Sequence, residues 1–269
     1  MSLGVRTRLR RIGTDDRYVV IPMDHGITLG AVDGLVDLEA TIASVVEGGA
    51  DAVLTQKGVA DRAQTGIERA VAAGAADAGY VAHLNGSTVL GPDANDKRRT
   101  GTVEEAVRLG ADAVSYHINV GSEHEREQIE DLSRVTEAAD RLGVPVLAMA
   151  YARGPGVTAD DPEVLGHAVR LAEEVGADLV KTAYSGSRES FERVTESTEL
   201  PVLIAGGEPG GDLETLETVA DATAAGAAGA SVGRAVFQHD RPGAMAAAVS
   251  DVVHEGTAPE AALRAVELG

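Results

Sequence analysis

Short apolar runs, mostly β-branched, recur at fairly even spacing along the 269 residues: Tyr18–Met23, Ala52–Thr55, Tyr80–Leu84, Ala113–Ile118, Val146–Ala150, Leu179–Thr182, Val202–Ala205 and Ala230–Val232. They are apolar throughout rather than alternating, which predicts strands covered on both faces. The stretches between them carry helical periodicity; Ile129, Leu132, Val135, Ala139 and Leu142 fall on one face of a predicted helix. Three strands are announced by one tripeptide, Gly49-Ala50-Asp51, Gly110-Ala111-Asp112 and Gly176-Ala177-Asp178. Its glycine fits a helix C-cap in the left-handed region, with the strand starting two residues later. A variant, Gly226-Ala227-Ala228-Gly229, precedes the last run.

Strand then helix, repeated eight times in this length, predicts an α/β chain folded as a (β/α)8 barrel. Residues 1–269 read as one domain, with no linker. A short helix over Arg6–Ile12 closes the barrel bottom or meets a neighbour, and an extra helix over Ala258–Leu268 follows the eighth unit. A doubly wound open sheet fits less well: Gly154-Pro155-Gly156 lacks the third glycine of a dinucleotide fingerprint, and no GxxxxGK loop occurs.

Composition narrows the function classes. No apolar run approaches 18 residues, so no transmembrane helix is expected, and Arg6, Arg8, Arg10 and Arg11 have no apolar segment behind them to make a secretory signal. With no cysteine, disulfides, thiolate catalysis and Cys-based metal sites are excluded. The formal charge of −20 disfavours nucleic acid and anionic membrane as partners. The carboxylates are spread along helices, as in Glu123, Glu125, Glu127, Glu130 and Asp131, which suggests a surface adapted to high salt. A cytoplasmic enzyme is the expectation.

In such a barrel, chemistry sits at the carboxyl ends of strands. The sixth run ends in Lys181-Thr182-Ala183, placing an amine at the end of a buried strand. An ordinary lysine is neutral in about one molecule in a few thousand at pH 7, so Schiff-base chemistry needs desolvation or nearby positive charge. The alternative is a lysine snorkelling out of the barrel. Asp24, after the first run, and Tyr151, after the fifth, can supply the proton acceptor and donor that such a lysine requires. Otherwise Asp24 caps a loop and Tyr151 is a core residue with a wet hydroxyl. Gly206-Gly207 and Gly233-Arg234 follow the last two runs, where barrel enzymes commonly hold phosphate. The alternative is tight turns with Arg234 paired to a surface carboxylate. His25, His83 and His117 end three different strands and raise a zinc reading, but Asp24 is the only adjacent carboxylate and no HxH spacing occurs.

Taken in order, Pro22-Met23-Asp24-His25-Gly26, Met149-Ala150-Tyr151-Ala152-Arg153-Gly154, Val180-Lys181-Thr182-Ala183-Tyr184-Ser185-Gly186, Ala205-Gly206-Gly207 and Val232-Gly233-Arg234 resemble the archaeal class I aldolase family of DhnA/FbaB type over nearly the whole chain. Within it the chain is most similar to the synthase branch, which serves the alternative route to 3-dehydroquinate. The resemblance implies a Schiff-base lysine at Lys181, a proton donor at Tyr151 and a proton acceptor at Asp24. It implies substrate contacts from Asp24, His25, Gly26, Ile27, Thr28, Tyr151, Ala152, Arg153, Lys181, Thr182, Ala183, Gly206, Gly207, Gly233 and Arg234, with no metal and no cofactor. The implied partners are a phosphorylated keto sugar and an aldehyde, in a homo-oligomeric ring of decamer type. Ala152 departs from the family, whose members usually carry proline there, which loosens the loop that aims Arg153. The rival on this scaffold is fructose-1,6-bisphosphate aldolase, which typically has a tryptophan where this chain has Met149. A non-catalytic sugar-phosphate-binding barrel would be expected to lack Lys181, Tyr151 or Asp24.

Overall fold

The structure is a computed structural model describing residues 1–207 and 210–267. Its strands are β1 (Tyr18–Pro22), β2 (Ala52–Gln56), β3 (Gly79–His83), β4 (Asn85–Gly86), β5 (Arg98–Arg99), β6 (Ala113–Val120), β7 (Val146–Ala152), β8 (Leu179–Thr182), β9 (Val202–Ala205) and β10 (Gly229–Ser231). The helices are α1 (Leu3–Leu9), α2 (Gly26–Leu29), α3 (Leu38–Glu47), α4 (Ala60–Ala72), α5 (Val103–Arg108), α6 (Glu125–Leu142), α7 (Pro162–Glu174), α8 (Arg188–Thr195), α9 (Asp212–Ala224), α10 (Arg234–Phe237), α11 (Pro242–Glu255) and α12 (Pro259–Glu267). Eight parallel strands close a barrel in the order β1-β10-β9-β8-β7-β6-β3-β2, while β4 and β5 pair antiparallel above it. The fold is the predicted (β/α)8 barrel.

Two cores follow from the two strand faces. Outward residues such as Val19, Ile21, Val53, Val114 and Val180 pack against the helices. Inward residues Val20, Leu54, Val81, Leu147, Leu179 and Leu203 fill the lumen. Because side chains alternate, the inward positions one step higher are Pro22, His83, Met149, Lys181 and Ala205, and these line the mouth. His83 and Lys181 bring polar groups into a layer otherwise made of Pro22, Met149 and Ala205, and a site can form around them.

The repeated tripeptide now has a physical account. Asp51 Oδ2 accepts from Val19 N at 2.7 Å, Asp112 Oδ2 from Tyr80 N at 3.0 Å, and Asp178 Oδ2 from Val146 N at 2.9 Å. Each aspartate also donates its own N–H to the carbonyl of the same residue. Every one of these clamps spans 32 residues, one βα unit and the turn after it. In the variant before β10 Ala228 takes the aspartate's place: its N–H still donates to the Val202 carbonyl of β9 at 2.8 Å but it brings no carboxylate, and its own carbonyl accepts from Tyr18 N at 3.0 Å.

Several element limits differ from the sequence reading. The first helix runs over Leu3–Leu9, not Arg6–Ile12, because Ser2 Oγ caps Val5 N at 3.3 Å and the chain turns after Leu9. Ile12, 1 % exposed, then plugs the lumen from below. Strand β7 extends to Ala152, so Tyr151 is held in the ladder opposite Asn119. On α6 the buried stripe is Gln128, Leu132, Val135, Thr136 and Ala139, with Leu142 exposed. The stripe turns toward two polar residues because both find inner partners: Gln128 bonds Asn119 N and Asn95 O, and Thr136 bonds Val175 O. The helix predicted over 258–268 is α12, with Leu268 outside the described residues. No helix among the described residues is long and apolar enough to cross a membrane.

Candidate active site

The mouth encloses a cavity of ≈ 520 Å³ lined by Asp24, Tyr151, Arg153, Lys181, Gly206, Gly207, Gly233 and Arg234, with His25, Ile27 and Thr28 on the β1 side. Four other sequence candidates lie off it. Thr182 points outward from β8 and donates to the Ala150 carbonyl at 2.8 Å, so its hydroxyl ties β8 to β7. Ala152 and Ala183 line an adjoining cavity of ≈ 340 Å³ that runs toward α9, and Gly26 opens α2.

Lys181 is 6 % exposed. Burial among Met149, Tyr151 and the apolar layer below brings its amine down to about 8; Asp24 opposes that shift and Arg153 adds to it. At pH 7.5 an amine with such a pKa is free in about a quarter of molecules, against roughly one in a thousand for an ordinary lysine. Burial disfavours the Asp24 carboxylate, but His83, His25 and Lys181 outweigh burial and hold it below its usual value, so it is an ionised acceptor. Its oxygens stand 3.7 Å from His25 Nδ1 and 3.7 Å from His83 Nε2, beyond hydrogen-bond length. Tyr151 is one inward step above Met149, the strand partner of Lys181. Burial raises its phenol, so it stays protonated and able to donate. Its ring packs 5.0 Å from His117 and carries the Arg153 guanidinium 4.9 Å above its face. Arg153 N bonds the Val120 carbonyl as well, so the arginine is held on both backbone and side chain despite Ala152.

The three strand-end histidines face different partners. His83 Nδ1 meets Ser115 Oγ at 2.7 Å, while His117 Nε2 meets Asn119 Oδ1 at 2.7 Å and must donate to it. Burial first, then nearby cations, keeps all three imidazoles below their ordinary value.

The loops after β9 and β10 come close to the cavity because they lack side chains. A Cβ on Gly206 would lie 2.6 Å from Val232 Cγ1, and one on Gly233 would lie 2.8 Å from His25 Cε1. Arg234 reaches across to the Gly207 carbonyl at 3.1 Å. The Gly206, Gly207 and Gly233 backbone and the Arg234 guanidinium therefore line one side of the mouth.

Some lining residues carry no signal in a strand-end reading. Lys97 and Ser231 are two of them. Lys97 lies in a polar stretch, Asp93-Ala94-Asn95-Asp96-Lys97, that reads as an ordinary loop. Only the pairing of Asn85–Gly86 with Arg98–Arg99 folds it back over the mouth. The length of segment 84–102 was the available hint, since long loops in compact barrels tend to be functional.

A parallel barrel with a desolvated lysine, a carboxylate and a protonated phenol at its mouth is an aldolase-type enzyme, built for carbonyl chemistry. The chain belongs to the DeoC/LacD family of aldolases, whose family model matches residues 18–239. It is 66% identical over 260 residues to 2-amino-3,7-dideoxy-D-threo-hept-6-ulosonate synthase of Halobacterium salinarum, covering 97% of this chain and 95% of that protein. It is 44% identical to 2-amino-3,7-dideoxy-D-threo-hept-6-ulosonate synthase 1 of Archaeoglobus fulgidus, over 94% and 92% of the two chains. Among solved structures it resembles an archaeal fructose-1,6-bisphosphate aldolase whose catalytic lysine is bound to the carbinolamine intermediate. The TM-score is 0.80 at 28% identity, covering 93% of this chain and 99% of that one.

Proposed function

We propose that the protein makes 2-amino-3,7-dideoxy-D-threo-hept-6-ulosonate from 6-deoxy-5-ketofructose 1-phosphate and L-aspartate semialdehyde by a transaldol reaction on Lys181. The carrying observation is the buried amine at the end of β8, brought into the range where a neutral fraction exists, beside an ionised acceptor and a protonated donor.

Lys181 Nζ attacks a ketone of the donor, and Tyr151 protonates the departing hydroxyl as water leaves and an iminium forms. For the phosphorylated three-carbon piece to be expelled, the captured ketone is C5, beside the methyl group. Asp24 takes the proton of the C3 hydroxyl, the C3–C4 bond breaks, and its electron pair moves into the iminium to give an enamine. The C3 end leaves as an aldehyde carrying the phosphate. Enamine carbon C4 then attacks the aldehyde carbon of aspartate semialdehyde, the new alkoxide takes a proton, and water hydrolyses the imine. The Gly206, Gly207 and Gly233 loops with Arg234 are the phosphate cradle in this reading.

Borohydride added with donor is expected to fix a mass increase on the Lys181 peptide, and donor plus aspartate semialdehyde is expected to yield the aminoheptulosonate. No adduct removes the Schiff base; an adduct without that product removes the synthase. The likeness to an archaeal fructose-1,6-bisphosphate aldolase supports a second reading as that enzyme. Turnover of fructose bisphosphate exceeding that of the transaldol pair would favour it. We further infer a homo-oligomeric ring from the family resemblance, to be read by light scattering in solution.

A further inference from the structure

Lys97 is a buried cation that the mechanism above does not use. It is 8 % exposed and lines the cavity that holds Lys181, and its ammonium makes no side-chain hydrogen bond or salt bridge among the described residues. Its stem is buried and its ammonium is left to face the cavity, where an anionic ligand could meet it. Its position is built rather than incidental. The Asn95 carbonyl accepts from Asn119 Nδ2 of β6 at 3.1 Å and from Gln128 Nε2 of α6 at 2.6 Å. Lys97 N then donates to that same Asn95 carbonyl at 2.8 Å, so the residue is fixed to the barrel rim.

Barrel order places this cation. The segment bearing Lys97 leaves from β3 and is fastened to β6, and β3 and β6 lie directly across the barrel from β9 and β10. Arg153 follows β7, on the Lys97 side, and burial together with the Arg153 charge lowers the Lys97 amine. The mouth thus has two cationic walls with Lys181 on β8 between them. One is made of the Gly206, Gly207 and Gly233 backbone and Arg234. The other is made of two side-chain cations and no glycine loop.

We propose that Lys97, with Arg153, forms a second anion subsite that binds the carboxylate of the aldehyde acceptor. This rests on the transaldol reading. A phosphate dianion suits the wall of glycine backbone and Arg234, whereas a carboxylate is matched by an ammonium beside a planar guanidinium. Lys97 is accordingly a specificity-determining residue: it selects which aldehyde the Lys181 enamine meets.

The test compares wild type, Lys97→Met and Lys97→Arg with saturating donor and either L-aspartate semialdehyde or uncharged propanal as acceptor. In Lys97→Met the KM for aspartate semialdehyde is expected to rise at least tenfold with kcat within about threefold, and the preference over propanal to fall by the same factor. Lys97→Arg recovers most of it. Borohydride trapping of donor on Lys181 reports that each variant is folded. An unchanged acceptor preference with trapping intact overturns the subsite; loss of trapping in soluble Lys97→Met overturns it in favour of a donor role. If wild type ignores aspartate semialdehyde, the transaldol reaction is removed, and fructose 1,6-bisphosphate is compared with fructose 1-phosphate. A Lys97→Met defect confined to the bisphosphate then assigns the cation to a second phosphate, overturning the carboxylate assignment, and no defect removes the subsite altogether.

Discussion

Replacing Asp24 by asparagine separates two things the carboxylate does. It is the proton acceptor in the proposed chemistry, and its charge opposes the fall in the Lys181 pKa that burial and Arg153 produce. Without that charge the amine should titrate lower than about 8. A close opposite charge commonly shifts a pKa by about one to three units, so a drop of roughly one to two units is expected here. At pH 7 the free amine would rise from about a tenth of molecules to the majority. Adduct capture and turnover then move in opposite directions. The rate of borohydride-trapped adduct, followed from pH 5.5 to 9, should reach half its maximum near about pH 6–7 in the variant rather than near 8, while kcat falls by about 10²-fold or more. Asparagine is isosteric, so circular dichroism should be unchanged. A half-rise that stays at the wild-type pH, or moves above it, refutes the coupling between Asp24 and Lys181.

The base of the barrel holds a separate pH effect. His254 Nε2 lies 2.9 Å from Asp51 Oδ2, and that hydrogen bond raises the imidazole above its ordinary value against the effect of burial. Its contribution to stability is therefore full below about pH 6.5 and is lost as pH rises through the raised folded-state value. His254→Gln should lower Tm more at pH 6 than at pH 8.5; equal losses would refute it. Asp178→Ala leaves Val146 N without its acceptor and should cost about 1–3 kcal/mol in urea unfolding, whereas Asp178→Asn retains an acceptor oxygen and should cost much less. Equal costs would show that the clamp is not the cause. With a formal charge of −20, Tm should rise steadily from dilute buffer to about 3 M KCl as repulsion is screened. Highest stability at low salt would remove the high-salt reading.

The sequence declared the barrel because parallel strands must be apolar on both faces, and eight such runs leave few alternatives. It located Lys181, Tyr151 and Asp24 because strand ends are where a barrel puts chemistry. It was silent on Lys97, whose place depends on a hairpin pairing and on anchors from β6 and α6 that no local pattern encodes. Thr182 shows the opposite difficulty. The family resemblance implies a substrate contact at Thr182, while the two-residue alternation of a strand turns its hydroxyl away from the mouth. The polar half of the α6 inner face is not legible in the helical periodicity for a related reason, since Gln128 and Thr136 are buried against partners more than 30 residues away, Asn95 and Val175.

The aspartate clamps bear on the order in which the barrel is put together. Each joins a strand to a residue only 32 positions later, so β1 with β2, β3 with β6, and β7 with β8 can lock as soon as that much chain has left the ribosome. The seam between β1 and β10 cannot, since Tyr18 must wait for Gly229. That seam has no aspartate clamp and is held by Tyr18 N to Ala228 O and by Arg17 to Ala227 O. The barrel is therefore locked in sections during synthesis and shut last along the edge where the first strand meets the last. Amide exchange at Tyr18 and Ala230 should be the first in the sheet to report its reopening.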